Sequence, residues 1–238
     1  LPGTKTPFGK MLVGNIDYRY ASSLWRFIED HMCEKWDGAH KPGHKANHCF
    51  KLLKRIWAVG LKADFTSANV FREVELPTLP DRQIMWEPDQ YDGMIKFCDE
   101  QGFPAMGTML TMCYEFCQRP GDIRMMKWAN IDGRTGVSNF VQQKTKQRMA
   151  IKVTNKVTER LHLHQKRNSD DFIFHYDKDG RPYTQDWCNK HFRELAKKFG
   201  LPTVPEEGQF NLDGSQKYTS LQMMDLRRTG ATHASRSG

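Results

Sequence analysis

Long apolar runs are missing from this chain. None of the 238 residues belongs to a stretch near the roughly 20 apolar positions that a membrane span needs, so no membrane partner is expected. The opening Leu1-Pro2-Gly3-Thr4-Lys5 has no apolar signal core and no initiator Met, and an internal cut is expected there. The abrupt ending Ser235-Arg236-Ser237-Gly238 reads the same way. Cysteine is sparse: Cys33, Cys49, Cys98, Cys113, Cys117 and Cys188 are scattered without a CxxC pair, which excludes a dense extracellular disulfide framework. Reduced thiols in a cytosolic or nucleoid setting are expected instead. Cys113 and Cys117, four apart on an apolar helix, read as small core hydrophobes. There is no Gly-rich nucleotide loop, no Ser-His-Asp arrangement, no internal repeat and no low-complexity tract.

Acid is also in short supply. Thirty-six Lys and Arg face 28 Asp and Glu, giving a net charge of +8 and a pI near 9.2. A basic surface attracts polyanions, which makes nucleic acid the leading partner class beside a basic protein with no such partner. Hydrophobic content of 38% and charged content of 27% fit a globular chain of one or two domains.

Helical spacing over 10–36 places Leu12, Ile16, Tyr20, Leu24, Phe27, Ile28 and Met32 at three- and four-residue steps. After a turn at 37–43, a second helix is expected over about 44–61, with Phe50, Leu53, Ile56 and Trp57 inward and Lys51, Lys54 and Arg55 outward. Residues 68–71 read as a short helical piece. Pro77, Pro80 and Pro88 mark an extended connector over 72–88. The expected division is a helical domain over 1–75, a linker over 76–87 and a second domain over 88–238. In the latter, helices are expected over 88–100, 104–116, 121–128, 155–167 and 184–199, with strands over 137–141, 148–153 and 172–174. A loop is expected over 202–217 and a last helix from about 219 or 220.

Three basic groups stand out. Arg119 lies in Cys117-Gln118-Arg119-Pro120-Gly121-Asp122-Ile123, at the start of a helix. Arg227 lies in Met224-Asp225-Leu226-Arg227-Arg228-Thr229-Gly230-Ala231-Thr232. Between them, Gln142-Gln143-Lys144-Thr145-Lys146 joins two strands. Alone, these could be a helix-terminal arginine paired with Asp122, a basic helix turn and a solvated hairpin tip.

Taken in order, arginine, lysine, arginine resembles the catalytic region of the tyrosine recombinases, the phage integrase family of DNA strand-exchange enzymes. The resemblance covers about 45–236 and is specific near 115–150 and 221–232. It implies a mainly α fold with a small antiparallel β-sheet, preceded by a small helical bundle that grips DNA. The bundle has fewer helices than usual and reads as truncated. It also implies cleavage and rejoining of duplex DNA without metal or nucleotide cofactor, through a 3′-phosphotyrosyl link, by a tetramer on DNA. In that chemistry Arg119 and Arg227 would clamp the scissile phosphate, because guanidinium is planar, bidentate and always charged. Asp122 would orient Arg119 or its helix. Lys144 would be the general acid, with Lys146 a competing candidate.

Two positions depart from the family pattern. Met224 stands where the family has histidine, and a thioether cannot act as a base. All seven tyrosines (Tyr18, Tyr20, Tyr91, Tyr114, Tyr176, Tyr183, Tyr218) precede Arg227, so by motif position none is the nucleophile and the catalytic domain is expected to be incomplete. Two rival functions follow: a non-catalytic DNA-binding protein of the same fold, and a relative of the type IB topoisomerases. The expected setting is a prokaryotic cytoplasm or nucleoid, with a phage or prophage gene as source.

The histidines carry less. His40, His44 and His48 recur every four residues, with metal-ligand spacing on a helix but no good third ligand. A polar or phosphate-facing surface is the better reading, and no metal is expected. His162 and His164 do not share a helix face, and His175 reads as turn chemistry.

Overall fold

The computed structural model describes residues 8–34, 43–78, 82–164, 170–210 and 215–237. It divides into two compact units, Leu1–Arg82 with Glu206–Lys217, and Gln83–Pro205 with Tyr218–Gly238.

In the first unit, 3-10 turns at Phe8–Lys10 and Val13–Asn15 precede α1 (Tyr18–Glu34), and α2 runs over Gly43–Lys62. The single helix expected over 10–36 is therefore divided. Asp17 explains the start of α1, since its Oδ1 accepts the Tyr20 N–H at 2.7 Å in the manner of an N-cap. The core is aromatic. Phe50 and Trp57, seven apart on α2, meet Phe71 with ring centroids 5.4 and 4.7 Å away, and Trp25 of α1 meets Phe50 at 5.6 Å. Ile56, expected inward, is 53% exposed. It sits about 100° around the helix from Trp57, off the stripe that the aromatic contacts select.

The segment after α2 is turns and extended chain rather than the short helix expected at 68–71. It is strapped to α2. Lys54, expected outward, donates from Nζ to the Val74 and Arg72 carbonyls at 2.8 and 3.3 Å. Burial, then the neighbouring Lys51 charge, lowers its pKa. Asn69 Nδ2 donates to the Lys54 carbonyl at 2.9 Å and Asn47 Nδ2 to the Pro77 carbonyl at 2.9 Å. The extended chain thus finds on α2 the partners it lacks internally.

The second unit is built around α4 (Pro104–Glu115), which is buried continuously from Met106 to Cys113. Such a helix needs neighbours on all sides. They are α3 (Pro88–Glu100), α5 (Pro120–Arg124), α6 (Asn155–Leu161) and α8 (Met223–Ser237). α8 crosses α4 at backbone contact: a Cβ on Gly230 would run into the Tyr114 carbonyl. A 3-10 turn (Trp128–Asn130) leads into β1 (Ile131–Asp132), β2 (Val137–Val141) and β3 (Arg148–Lys152), an antiparallel sheet in the order β1-β2-β3 with Val141 opposite Arg148. α7 (Gln185–Phe199) starts where Thr184 Oγ1 accepts the Trp187 N–H at 3.1 Å and ends at left-handed Gly200, φ 75°.

Four expectations change here. The helix expected over 121–128 stops at Arg124, and the Met126 carbonyl instead accepts the Ile173 N–H at 2.9 Å. The helix expected to reach 167 ends at Leu161; residues 165–169 lie outside those described. The strand expected over 172–174 is reduced to two isolated bridges, Lys127 with Phe172 and His175 with Pro182. The loop expected over 202–217 holds β4 (Thr203–Phe210) and β5 (Gln216–Ser220), a two-stranded pair, and α8 begins at Met223. Pro205, Gly208 and Gly214 masked that strand pattern, since proline and glycine usually mark loops.

Candidate active site

Arg119 is placed by a break in the chain. α4 ends, Cys117 takes a left-handed turn (φ 52°), and Arg119 becomes the N-cap of α5 with Pro120 at its first position. Its side chain is 24% exposed, and its buried guanidinium nitrogen lies 3.9 Å from Asp122 Oδ2, too long for a hydrogen bond. That nitrogen and Asp122 Oδ2 are both buried without a hydrogen-bond partner among the described residues. Asp122 Oδ1 accepts the Gln143 backbone N–H at 2.8 Å. One carboxylate thus faces both the Arg119 helix and the loop that carries Lys144.

Arg227 reaches the same turn from α8. Its Nε donates to the Cys117 carbonyl at 3.0 Å. Burial, and next the Arg119 charge, push its pKa down from the ordinary arginine value, while Asp122 opposes the shift. Arg119 and Arg227 are thus both anchored at the turn over Cys117 to Arg119, with the Asp122 carboxylate 3.9 Å from the Arg119 nitrogen. Two like charges so placed favour an anion between or in front of them. The start of α8 is fixed from behind. Trp86 donates from its backbone N–H to Thr229 Oγ1 at 3.0 Å and from Nε1 to the Gln222 carbonyl at 3.0 Å. Asp225 Oδ2 accepts the Gln222 N–H at 2.9 Å.

Lys144 lies at the exposed tip between β2 and β3. Gln142 N–H donates to the Gln147 carbonyl and Lys146 N–H to the Gln142 carbonyl, each at 2.9 Å, with Lys146 in a left-handed conformation (φ 57°). Arg119, Asp122, Lys144 and Met224 all line one open cleft of about 700 Å³. Lys146 and Arg227 are not in its lining. Met224 is 47% exposed and presents a thioether there. The far wall comes from α7, through Gln185, Asn189 and Arg193. Sequence reasoning missed these. Their signal was a polar stripe at four-residue steps on a helix that buries Cys188, Phe192 and Leu195, of which Phe192 also borders the cleft.

The remaining candidates fall elsewhere. No tyrosine is among the described residues lining the cleft. The Tyr114 hydroxyl pairs with His233 Nδ1 at 2.8 Å, its ring stacks on Tyr91 at 4.5 Å, and burial raises the pKa of both phenols. His164 Nε2 pairs with Thr108 Oγ1 at 2.9 Å, and burial lowers its pKa to about 4. His175 Nδ1 pairs with the Phe172 carbonyl at 2.7 Å. His162 is exposed at the end of α6, and His48 is exposed on α2. His40 and the His44 side chain lie outside the described residues. Among the described residues no three His, Cys, Asp or Glu side chains are grouped to hold a metal. No helix among them is long and apolar enough to cross a membrane. The described cysteines, Cys49, Cys98, Cys113, Cys117 and Cys188, are free thiols.

The cleft thus carries Arg119, Lys144 and Arg193 beside the buried Asp122 carboxylate, with Arg227 bonded to the turn behind Arg119. Residues 85–238 match the phage integrase family, and the chain belongs to that family. No curated protein is similar enough in sequence to match it. Among solved structures it is similar to a lambda integrase dimer bound to a COC′ core site, at 15% identity and a TM-score of 0.70, over 98% of this chain and 77% of that one. It is also similar to the Tn1549 transposon integrase in complex with transposon right end DNA, at 11% identity and a TM-score of 0.66, with the same coverages. A lambda integrase tetramer bound to a Holliday junction matches at 16% identity and a TM-score of 0.65, over 92% of this chain and 59% of that one. The likeness extends through both units, and the fold is mainly α with a small antiparallel sheet.

Proposed function

We propose that this chain binds duplex DNA and supplies the phosphate-activating groups of a site-specific recombinase. The observation that carries the reading is the shared cleft of Arg119, Asp122, Lys144 and Met224, with Arg227 directed at the same Cys117 turn. Arg119 and Arg227 hold the non-bridging oxygens of the scissile phosphate and stabilise the charge that builds in the transition state. Asp122 keeps Arg119 and the lysine loop in register. As a tyrosine oxygen bonds to phosphorus and the bond to the 5′-oxygen breaks, Lys144 gives its proton to that oxygen. Its place in the cleft lining, which Lys146 lacks, favours Lys144 as the acid.

The helical unit before residue 76 is the proposed core-binding domain, residues 76–87 the linker and 88–238 the catalytic domain. Tetramer assembly on DNA is proposed, with a setting in the prokaryotic cytoplasm or nucleoid and a phage or prophage gene as source. In a cleavage-competent form of the protein, Arg119→Ala and Arg227→Ala should each lower cleavage of a suicide DNA substrate by roughly 10²–10³-fold or more, while leaving much of the DNA binding. Near-normal cleavage by either variant would reject the clamp. Binding should weaken by ~10³-fold or more between 50 and 200 mM salt if ~6 phosphates are contacted, as an anisotropy titration would read.

One feature favours the second reading, a DNA-binding protein without catalysis. Met224 occupies the cleft at the family's histidine position and offers no base or strong hydrogen bond to a phosphate. Cleavage that appears only in Met224→His would support it.

A further inference from the structure

The loop carrying Lys144 is tied to the Arg119 segment by a directional chain of side-chain hydrogen bonds. Gln118 and Gln142 are both 4% exposed. Gln118 Nε2 donates to the Phe116 carbonyl at 3.1 Å, which leaves its Oε1 as an acceptor. Gln142 Nε2 donates to that Oε1 at 2.6 Å, and Gln142 Oε1 in turn accepts the Thr145 hydroxyl. A flip of Gln118 would break both of its bonds, and a flip of Gln142 would set two amide oxygens against each other and reverse the bond to Thr145. The chain runs from the end of α4, one residue before Arg119, to the residue after Lys144.

Simple burial does not require this arrangement. Two primary amides cost more to bury than an apolar pair of similar size unless they are fully paired. What an apolar pair could not do is reach Thr145, whose side chain is exposed beyond the core. The Asp122 bond to the Gln143 N–H adds a second, independent tie at the base of the same loop. Lys144, between these anchors, makes no polar contact among the described residues, so its ammonium is free for a ligand while its backbone is held.

We infer that Gln118, Gln142 and Thr145 are positioning residues that hold the β2–β3 loop closed, so that Lys144 rather than Lys146 meets the scissile phosphate. The inference rests on the proposed role of Lys144, and three measurements separate the two.

The first is amide exchange on this chain. Thr145→Val removes the hydroxyl at an exposed site, and Gln142→Leu removes the buried amide. Each should speed exchange at the Lys146 N–H by roughly fivefold, as losing one hydrogen bond predicts, with α4 and α8 unchanged. Thr145→Ser should match the parent. The second is acylation of lysines with and without duplex DNA. In the parent, DNA should protect Lys144 more than Lys146, and in Thr145→Val the two protections should converge. The third uses a cleavage-competent form and a substrate whose 5′-bridging oxygen is sulfur, which leaves without a proton. Lys144→Ala, Thr145→Val and Gln142→Leu should all cleave the oxygen substrate poorly and regain cleavage with sulfur.

Selective Lys144 protection that persists in Thr145→Val, or no sulfur rescue of Thr145→Val when Lys144→Ala is rescued, would overturn the positioning role alone. If Lys144→Ala is itself not rescued, the acid assignment and this inference fall together. Should Gln142→Leu fail to fold, Thr145→Val and Thr145→Ser carry the test.

Discussion

Arg227 sits on a helix that is fixed from several sides, whereas Lys144 sits on a loop whose side chains from Gln143 to Arg148 are all exposed. Around Arg227, Asp225, Leu226, Thr229 and Gly230 are buried, Trp86 bonds to two points of the first turns, and Gly230 lets α8 touch the α4 backbone. Around Lys144 the ties are polar and few: Asp122 to Gln143 N–H, the Gln118–Gln142–Thr145 chain, and the backbone bonds of Gln142 with Gln147 and Lys146. Packed apolar layers are stiff because any shift opens or closes volume. A loop held by a handful of hydrogen bonds opens at the cost of those bonds alone.

The comparison is broken most severely by spoiling the rigid side. Gly230→Val would push a branched side chain against the Tyr114 carbonyl, which is backbone and cannot swing away. A loss of roughly 3 kcal/mol is expected, read as a lowered Tm by calorimetry. An unchanged Tm would mean that α8 is not fixed by this crossing.

Acid tests the packing on α4 at another point, where His164 meets Thr108. His164 is kept neutral in the folded unit, with its pKa lowered from 6.5 to about 4, first by burial and then by the Arg160 and His175 charges. Between these values the unfolded chain binds more protons than the folded one. The contribution of His164 is therefore complete above about pH 6.5 and is lost as pH falls toward 4, by at most about 3 kcal/mol. Denaturation followed against pH should show that loss, and His164→Gln should remove much of it. A pH dependence identical in the variant would assign the loss to other groups.

The loop side should respond least in stability. Lys144→Ala and Met224→His alter exposed side chains, so each should change unfolding free energy by less than about 0.5 kcal/mol. Lys144→Ala should also reduce the slope of log affinity against log salt by about one if its ammonium meets a phosphate. An unchanged slope would place Lys144 away from the DNA backbone.

Much of the second unit was legible before any coordinates. Pro88 and Pro104 announced α3 and α4, Thr184 and Gly200 bracketed α7, and the two short runs on either side of Lys144-Thr145-Lys146 announced β2 and β3. These are local signals, written within a turn or two of where they act. What failed was equally local in appearance. Ile56 looked like core on helical spacing, but Trp25 and Phe71 selected the Phe50–Trp57 edge instead. Residues 202–217 looked like a loop on their Pro and Gly content, yet they pair as β4 and β5.

The amino-acid sequence by itself determined the basic balance and the starts of α3, α4 and α7, because each depends on residue type and short spacing. Only the tertiary structure decided that Lys144 and not Lys146 lines the cleft, that α7 supplies its far wall, and that Gln118 meets Gln142. Those facts hang on bonds between residues far apart in the chain, 24 positions for Gln118–Gln142 and 110 for Cys117–Arg227. No local propensity encodes such a bond; it forms only when packing has brought distant segments together and a buried polar group finds its partner there.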